Sequence, residues 1–256
     1  MKPLVQKLTG FVRERTPPHQ GQFRNALLDA LDAGVVARLH LRPVVFELGH
    51  EIEFPGTVID HLYFIEEGMA SMTTTFKNGS QVEVGMFGYK SVMGVSALMG
   101  TKRSLNRVYT QIAGHGYASP VEAARTEFAL GGEFQRLALG YVQAQLVQVI
   151  QLAGCNATHN YEQRLARWLL ICSDRAHCDT FKMSHEFLSG MLGSTRSTMS
   201  IAAAQLKKER LIEYTRGVIR ILDAKGLEKK ACECYAVVED YLDSYIQFDS
   251  GMGIAS

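Results

Sequence analysis

The side chains of this chain with the most chemistry to offer fall between positions 183 and 222. Ser184 and His185 stand at one helix start, and Thr195, Arg196, Ser197, Thr198 and Ser200 at a second. Lys207 follows on the second helix and Arg216 in a turn beyond it. Hydroxyls, an imidazole and cations in this order suit hydrogen bonds to phosphate oxygens and to base edges. The Arg196 guanidinium offers paired N–H donors, which suit two-point hydrogen bonding to a phosphate or a base edge.

The elements that must position these groups are legible around them. Phe187, Leu188 and Met191 give a short helix its apolar face. Gly193 then breaks the pattern where a tight turn needs a residue free to take positive φ. Ser194 or Thr195 can cap a second helix that runs to about Arg210, with Met199, Ala202, Ala203 and Leu206 as its buried stripe. Residues 212–214 and 218–222 flank Arg216-Gly217 and read as a β-hairpin. Helix, turn, helix and hairpin make a winged helix-turn-helix. Ordinary packing in a small α+β domain could give the same elements, but not the coincidence of a turn glycine, a hydroxyl-rich second start, its arginine and a basic wing.

At 256 residues the chain is long enough for two domains, each with its own core. The formal net charge is +1, yet residues 161–230 hold thirteen Lys and Arg against eight Asp and Glu. A basic C-terminal domain on a mildly acidic body fits a local phosphate-contacting face. No uninterrupted apolar run reaches the roughly 18 to 20 residues of a membrane span, and the N-terminus lacks the pattern of a signal peptide. Five cysteines without scaffold spacing read as reduced thiols, and the expected location is the cytoplasm.

Residues 1–20 read as a leading segment ended by Pro17-Pro18, and 22–39 as one or two short helices. Short β-branched and aromatic runs follow at 44–46, 51–54, 62–65, 70–75, 81–84, 92–98, 108–112 and 116–119. Turn signals separate them, including Glu67-Gly68, Gly88 and the strong hairpin signal Asn78-Gly79. Such a series predicts a β-roll of the jelly-roll type. Helical periodicity returns at 121–128, then over a long helix from 133 to about 159, then at 161–175 with Leu165, Trp168, Leu169 and Ile171 inward. In the long helix Leu139, Val142, Leu146, Val149, Ala153 and Asn156 alternate spacings of three and four, the seam of a two-stranded coiled coil. Its flank is rich in neutral Gln (143, 145, 148, 151), as suits a helix buried on both sides.

The expected fold is therefore α+β: an N-terminal double-stranded β-roll (21–132), a long dimerisation helix (133–159), a C-terminal winged helix-turn-helix (160–230) and a tail (231–256). This order resembles the Crp/Fnr family of bacterial transcription regulators. The pieces that carry the resemblance are IDHLYFIEEG (59–68), NGSQVEVGMFGYKSVMG (78–94), EQRLARWLL (162–170) and SHEFLSGMLGSTRSTMS (184–200). The resemblance implies a homodimer on an imperfect palindrome of double-stranded DNA and, for an activator, contact with RNA polymerase. Arg196 matches the family's guanine-reading arginine. Ser197 stands where the family has glutamate and Ile201 where it has arginine, so the family's best-known half-site is not assigned.

Nucleotide-binding members of the family hold a cyclic nucleotide with a Gly-Glu pair and an Arg-Ser pair. Here the first is Gly94-Val95, without the carboxylate, while Arg103-Ser104 keeps the second and Arg107 competes for its place. No cofactor is expected, and a cyclic nucleotide is not supported by the Gly94-Val95 departure. No cysteine precedes Cys155, so the family's N-terminal iron–sulfur ligation is not supported. Cys232-Glu233-Cys234 can be set beside Cys172, Cys178 and His177 as a metal or redox group, but CxC is a weak signal and no metal site is assigned. His61, His115 and His159 are the histidines available to a haem, though turn and surface histidines are commoner than ligands. No HxH pair, nucleophile elbow, phosphate-binding glycine loop or HExxH occurs, and the chain is not expected to be an enzyme. The other functional reading is a small-molecule sensor that acts through protein partners without DNA; basic charge at Arg216 and Arg220 disfavours it.

Overall fold

The structure is a computed structural model that describes residues 21–247. The leading segment 1–20 and the last part of the tail lie outside the described residues. Asn25 starts α1 (Ala26–Asp29) by accepting the Leu28 amide at 3.2 Å. Its own buried amide group donates to the carbonyls of Ile65 and Ser91, fixing the helix to the sheet. After α2 (Ala33–Arg38) come β1 (Arg42–Phe46), β2 (Glu51–Glu53), β3 (His61–Thr75), β4 (Gln81–Phe87), β5 (Val92–Met93) and β6 (Arg107–Pro120). They form one antiparallel sheet ordered β1-β6-β3-β4, with β2 also on β6 and β5 also on β3.

The structure corrects the strand count. Runs 62–65 and 70–75 are one strand, as are 108–112 and 116–119, and residues 95–99 form a 3-10 helix rather than the end of a strand. Glu67-Gly68 is not a turn but a bulge, where the β3–β6 register slips between Ile65 and Ala70. Gly68 has φ 93°, and a Cβ there would lie 2.6 Å from the Ile112 carbonyl. A Cβ on Gly114 would lie 1.9 Å from that of Glu67, so the facing strands cross too closely for a side chain. Asn78-Gly79 does turn β3 into β4, with Asn78 Oδ1 accepting the Ser80 amide.

Helices α3 (Val121–Ala129), α4 (Glu133–Thr158) and α5 (Tyr161–Ala176) follow the sheet. Asn160 separates the last two through a reciprocal capping box with Gln163. Then come β7 (Thr180–Lys182), α6 (His185–Met191), α7 (Arg196–Lys208), β8 (Ile212–Thr215), β9 (Val218–Ile221), α8 (Ala224–Lys230) and α9 (Cys234–Gln247). The stretch read as a tail thus contains a helix that returns to the first half. Val238, Leu242 and Tyr245 of α9 join the core made by the sheet, α1, α2 and one face of α4. Tyr245 donates to the Lys90 carbonyl, and Lys90 pairs with Glu239 and Asp243.

By length and composition α4 is apolar enough to cross a membrane, unlike what its sequence runs suggested. The apolar character has another use here, because Phe134, Leu137, Ala138, Tyr141 and Ala144 lie in the core. A second core gathers Leu165, Trp168 and Leu169 of α5 with α6, α7, α8 and the sheet β7-β9-β8. Met69 and Met86 of the large sheet belong to this second core, so the two halves share a packed junction. At that junction the buried Glu83 accepts from Trp168 Nε1 at 2.8 Å and from Ser71 Oγ at 2.7 Å.

Candidate nucleic-acid interface

Ser184 starts α6 by accepting the Phe187 amide at 3.0 Å, and Thr195 starts α7 by accepting that of Thr198 at 3.2 Å. Between them Gly193 has φ 57°. Buried Arg164 donates to the Leu192 carbonyl and lies over the Tyr161 ring, fastening the turn from behind. Met199, Ala202, Ala203 and Leu206 are buried as expected, which turns Arg196, Ser197, Ile201, Lys207 and Lys208 outward. The first turn of a 13-residue helix then places positive dipole charge beside Arg196.

The polar candidates divide into two groups. Arg196 and Ser197 are exposed, although Ser197 Oγ also meets Thr195 Oγ1 at 2.9 Å. Ser200 and His185 are engaged with each other at 2.8 Å, and the His185 ring stacks on Tyr214 at 4.3 Å. Burial, then the Arg196 charge, hold the His185 imidazole below its ordinary pKa, so it is neutral at pH 7. It joins α6, α7 and β8 rather than supplying a cation.

The wing is a two-residue hairpin loop in which Arg216 and Gly217 both take positive φ, at 50° and 78°, the geometry of a type I′ turn. That conformation is strained for arginine and lifts its side chain to an exposed tip. Lys207 Nζ donates to the Tyr214 carbonyl at 3.1 Å, so it braces α7 on the wing while staying exposed. Strand β7, whose three residues are too short for a periodic signal in the sequence, brings exposed Lys182 beside Val218. Lys230 ties α8 to α5 and α7 by pairing with Glu162 and Glu209, each at 2.8 Å.

In the roll, Gly94 and Ser104 come together and Arg103 and Arg107 do not join them. The Glu53 carboxylate accepts the Gly94 amide at 3.0 Å and the Ser104 hydroxyl at 2.6 Å. Arg103 donates to the Gly56 carbonyl, Arg107 pairs with Glu51 and Gln81, and Val95 is buried.

The outer face of α4 is open in the single chain. Leu139, Leu146 and Ile150 are 47%, 51% and 60% exposed, and Ala153 and Asn156 are exposed as well. Val142 and Val149 instead pack partly against the core. The open stripe therefore runs 139, 143, 146, 150, 153, one position away from the sequence-read seam at two of its members.

Residues 163–230 match the Crp-like helix-turn-helix domain family. The chain is similar to the global nitrogen regulator of Nostoc sp., 26% identical over 192 residues that cover 70% of this chain and 85% of that protein. It is also similar to the transcriptional regulator SdrP of Thermus thermophilus, 26% identical over 196 residues covering 73% and 93%. Among solved structures, FixK2 from Bradyrhizobium japonicum superposes with a TM-score of 0.64 at 15% identity, covering 75% of this chain and 98% of that one. A CRP/FNR-family transcriptional regulator from Thermus thermophilus gives 0.59 at 22%, covering 74% and 98%.

Proposed function

We propose that this chain, with its Crp-like helix-turn-helix domain and its similarity to transcription regulators, is a DNA-binding transcription regulator of the Crp/Fnr type that acts in the cytoplasm as a homodimer on an imperfect palindrome. The observation that carries the reading is the exposed start of α7, where Arg196 and a hydroxyl-rich first turn face outward beside the Arg216 wing. The open Leu139-Leu146-Ile150 stripe supports pairing of two α4 helices, which would set two α7 helices about one DNA turn, roughly 34–36 Å, apart. Arg196 reads a base in the major groove, and Arg216, Lys182 and Lys208 add phosphate-directed charge. Ile201, exposed where an arginine would read a second base, favours an apolar contact such as a thymine methyl.

Glu53 already occupies the donors of Gly94 and Ser104, which supports a roll that works without a cyclic nucleotide. The test is selection of bound DNA from a random library, followed by binding assays on the recovered site. A two-fold symmetric motif is expected, and Arg196→Ala should cost about 1–3 kcal/mol on it while leaving random-sequence binding nearly unchanged. Equal losses on both DNAs would remove the base-reading role, and a large gain in affinity on adding cyclic AMP or cyclic GMP would overturn the ligand-free roll.

A further inference from the structure

The fold brings together four side chains that lie far apart in the sequence and that DNA binding does not use. The donor atoms of Cys155, His159, Cys232 and Cys234 all lie within 4.8 Å of one another. Cys155 Sγ is 3.5 Å from Cys232 Sγ, and Cys234 Sγ is 3.5 Å from His159 Nδ1. We propose that these four residues form a tetrahedral site for one zinc-class divalent ion.

The dimensions fit. Zinc bonds of about 2.3 Å to sulfur and 2.0–2.1 Å to nitrogen place tetrahedral donors roughly 3.4–3.8 Å apart. Three sulfurs and an imidazole are a donor set of structural zinc sites, and thiolates disfavour magnesium and calcium. Cys155 lies in the last turn of α4 and His159 caps its C-terminus with its amide on the Cys155 carbonyl, so the end of α4 brings both. Cys232 and Cys234 bracket the start of α9 and bring the other two. All three cysteines are buried and form a cluster of their own. Cys172, Cys178 and His177, the partners weighed from the sequence, take no part in it.

The surroundings are those of a metal centre as well. Glu233 lies 3.3 Å from His159 Nε2, which leaves Nδ1 to face the sulfurs. A carboxylate on the far nitrogen of a ligating histidine fixes its tautomer and orientation. Gln151 Nε2 donates to Cys234 Sγ at 3.1 Å. Binding is not a redox step: up to three thiol protons pass to water as three sulfur–metal bonds form, and the neutral histidine adds the fourth.

The location gives the ion a purpose. Residues 155 and 232 are 77 apart in sequence, and the chain between them is the DNA-binding domain. An ion here ties the end of the long helix to the start of α9 and closes that loop at its base, which lowers the entropy of the open chain.

The test uses the full chain, reduced and purified without chelator, then loaded with Zn²⁺ and desalted. Elemental analysis should find one zinc per chain, retained in Cys178→Ser and lost in the Cys232→Ser/Cys234→Ser double variant. Glu233→Gln should bind about 10–100-fold more weakly. Co²⁺ added to the unsubstituted chain should give the d–d bands of a tetrahedral ion and charge-transfer intensity for three thiolates, a readout independent of whether the variants fold. Zinc retained by the folded double variant, octahedral cobalt bands, no metal in the reduced chain, a Cys155–Cys232 disulfide formed without metal uptake, or iron with labile sulfide would each overturn the assignment.

Discussion

At the scale of single residues, Arg196 is exposed at the start of α7 and Glu83 is buried against Trp168 at the junction of the two cores. The exposed place of Arg196 at the start of α7 was legible from sequence, because a capped helix start and its first outward residue are features a short motif can specify. Glu83 was not, because an alternating strand residue gives no sign that it will be covered by another domain. Burial pushes its carboxyl up to about 7, resisted by hydrogen bonds from Ser71 and Trp168 and by the charges of Arg167 and Arg175. Between the ordinary carboxylate value near 4.5 and 7, the native state therefore holds this proton more firmly than the unfolded chain does. The stabilisation is full below that window and is lost as pH rises through it. Thermal melts from pH 5 to 8 should show the unsubstituted chain losing about 1–3 kcal/mol relative to Glu83→Gln, whose amide can still accept from Trp168. Parallel pH profiles for the two proteins would show that Glu83 does not carry this proton.

At the scale of elements, α5, α6, α7 and the wing hairpin were legible because each has one dominant apolar face of the right period. The long helix shows where that logic fails. It is apolar on two faces, and a spacing of three or four from Leu139 admits either Val142 or position 143. Only the packed structure gives Val142 and Val149 to the core and leaves Ile150 outside. Ile150→Glu should therefore shift the chain from dimer to monomer in sedimentation analysis, by placing two desolvated carboxylates in the seam. Val149→Ala should keep the dimer and cost about 0.5–2 kcal/mol of folding stability. The reverse pattern would restore the sequence-read register. Strands β3 and β6 were cut in two for a related reason: glycine marks both a chain reversal and a close crossing of two backbones, and the partner strand decides which.

At the scale of the molecule, the order of roll, long helix and DNA-binding domain followed from the changing period of the sequence, but their joint packing did not. Met69 and Met86 lie in the core of the DNA-binding domain, and Trp168, the single tryptophan, is fully buried against Glu83. Urea unfolding followed by tryptophan fluorescence and by far-ultraviolet circular dichroism should give coincident transitions, and separated midpoints would mean that the halves unfold independently. The return of α9 to the roll has one more consequence. The chain leaves the first core at the end of α4 and re-enters it through α9, with the two crossing points beside each other. Topologically the DNA-binding domain is an insertion with adjoining ends, the arrangement in which a guest is most readily exchanged within a host. Target choice in this architecture can be replaced as a cassette, provided the incoming domain keeps the surface that meets Met69 and Met86.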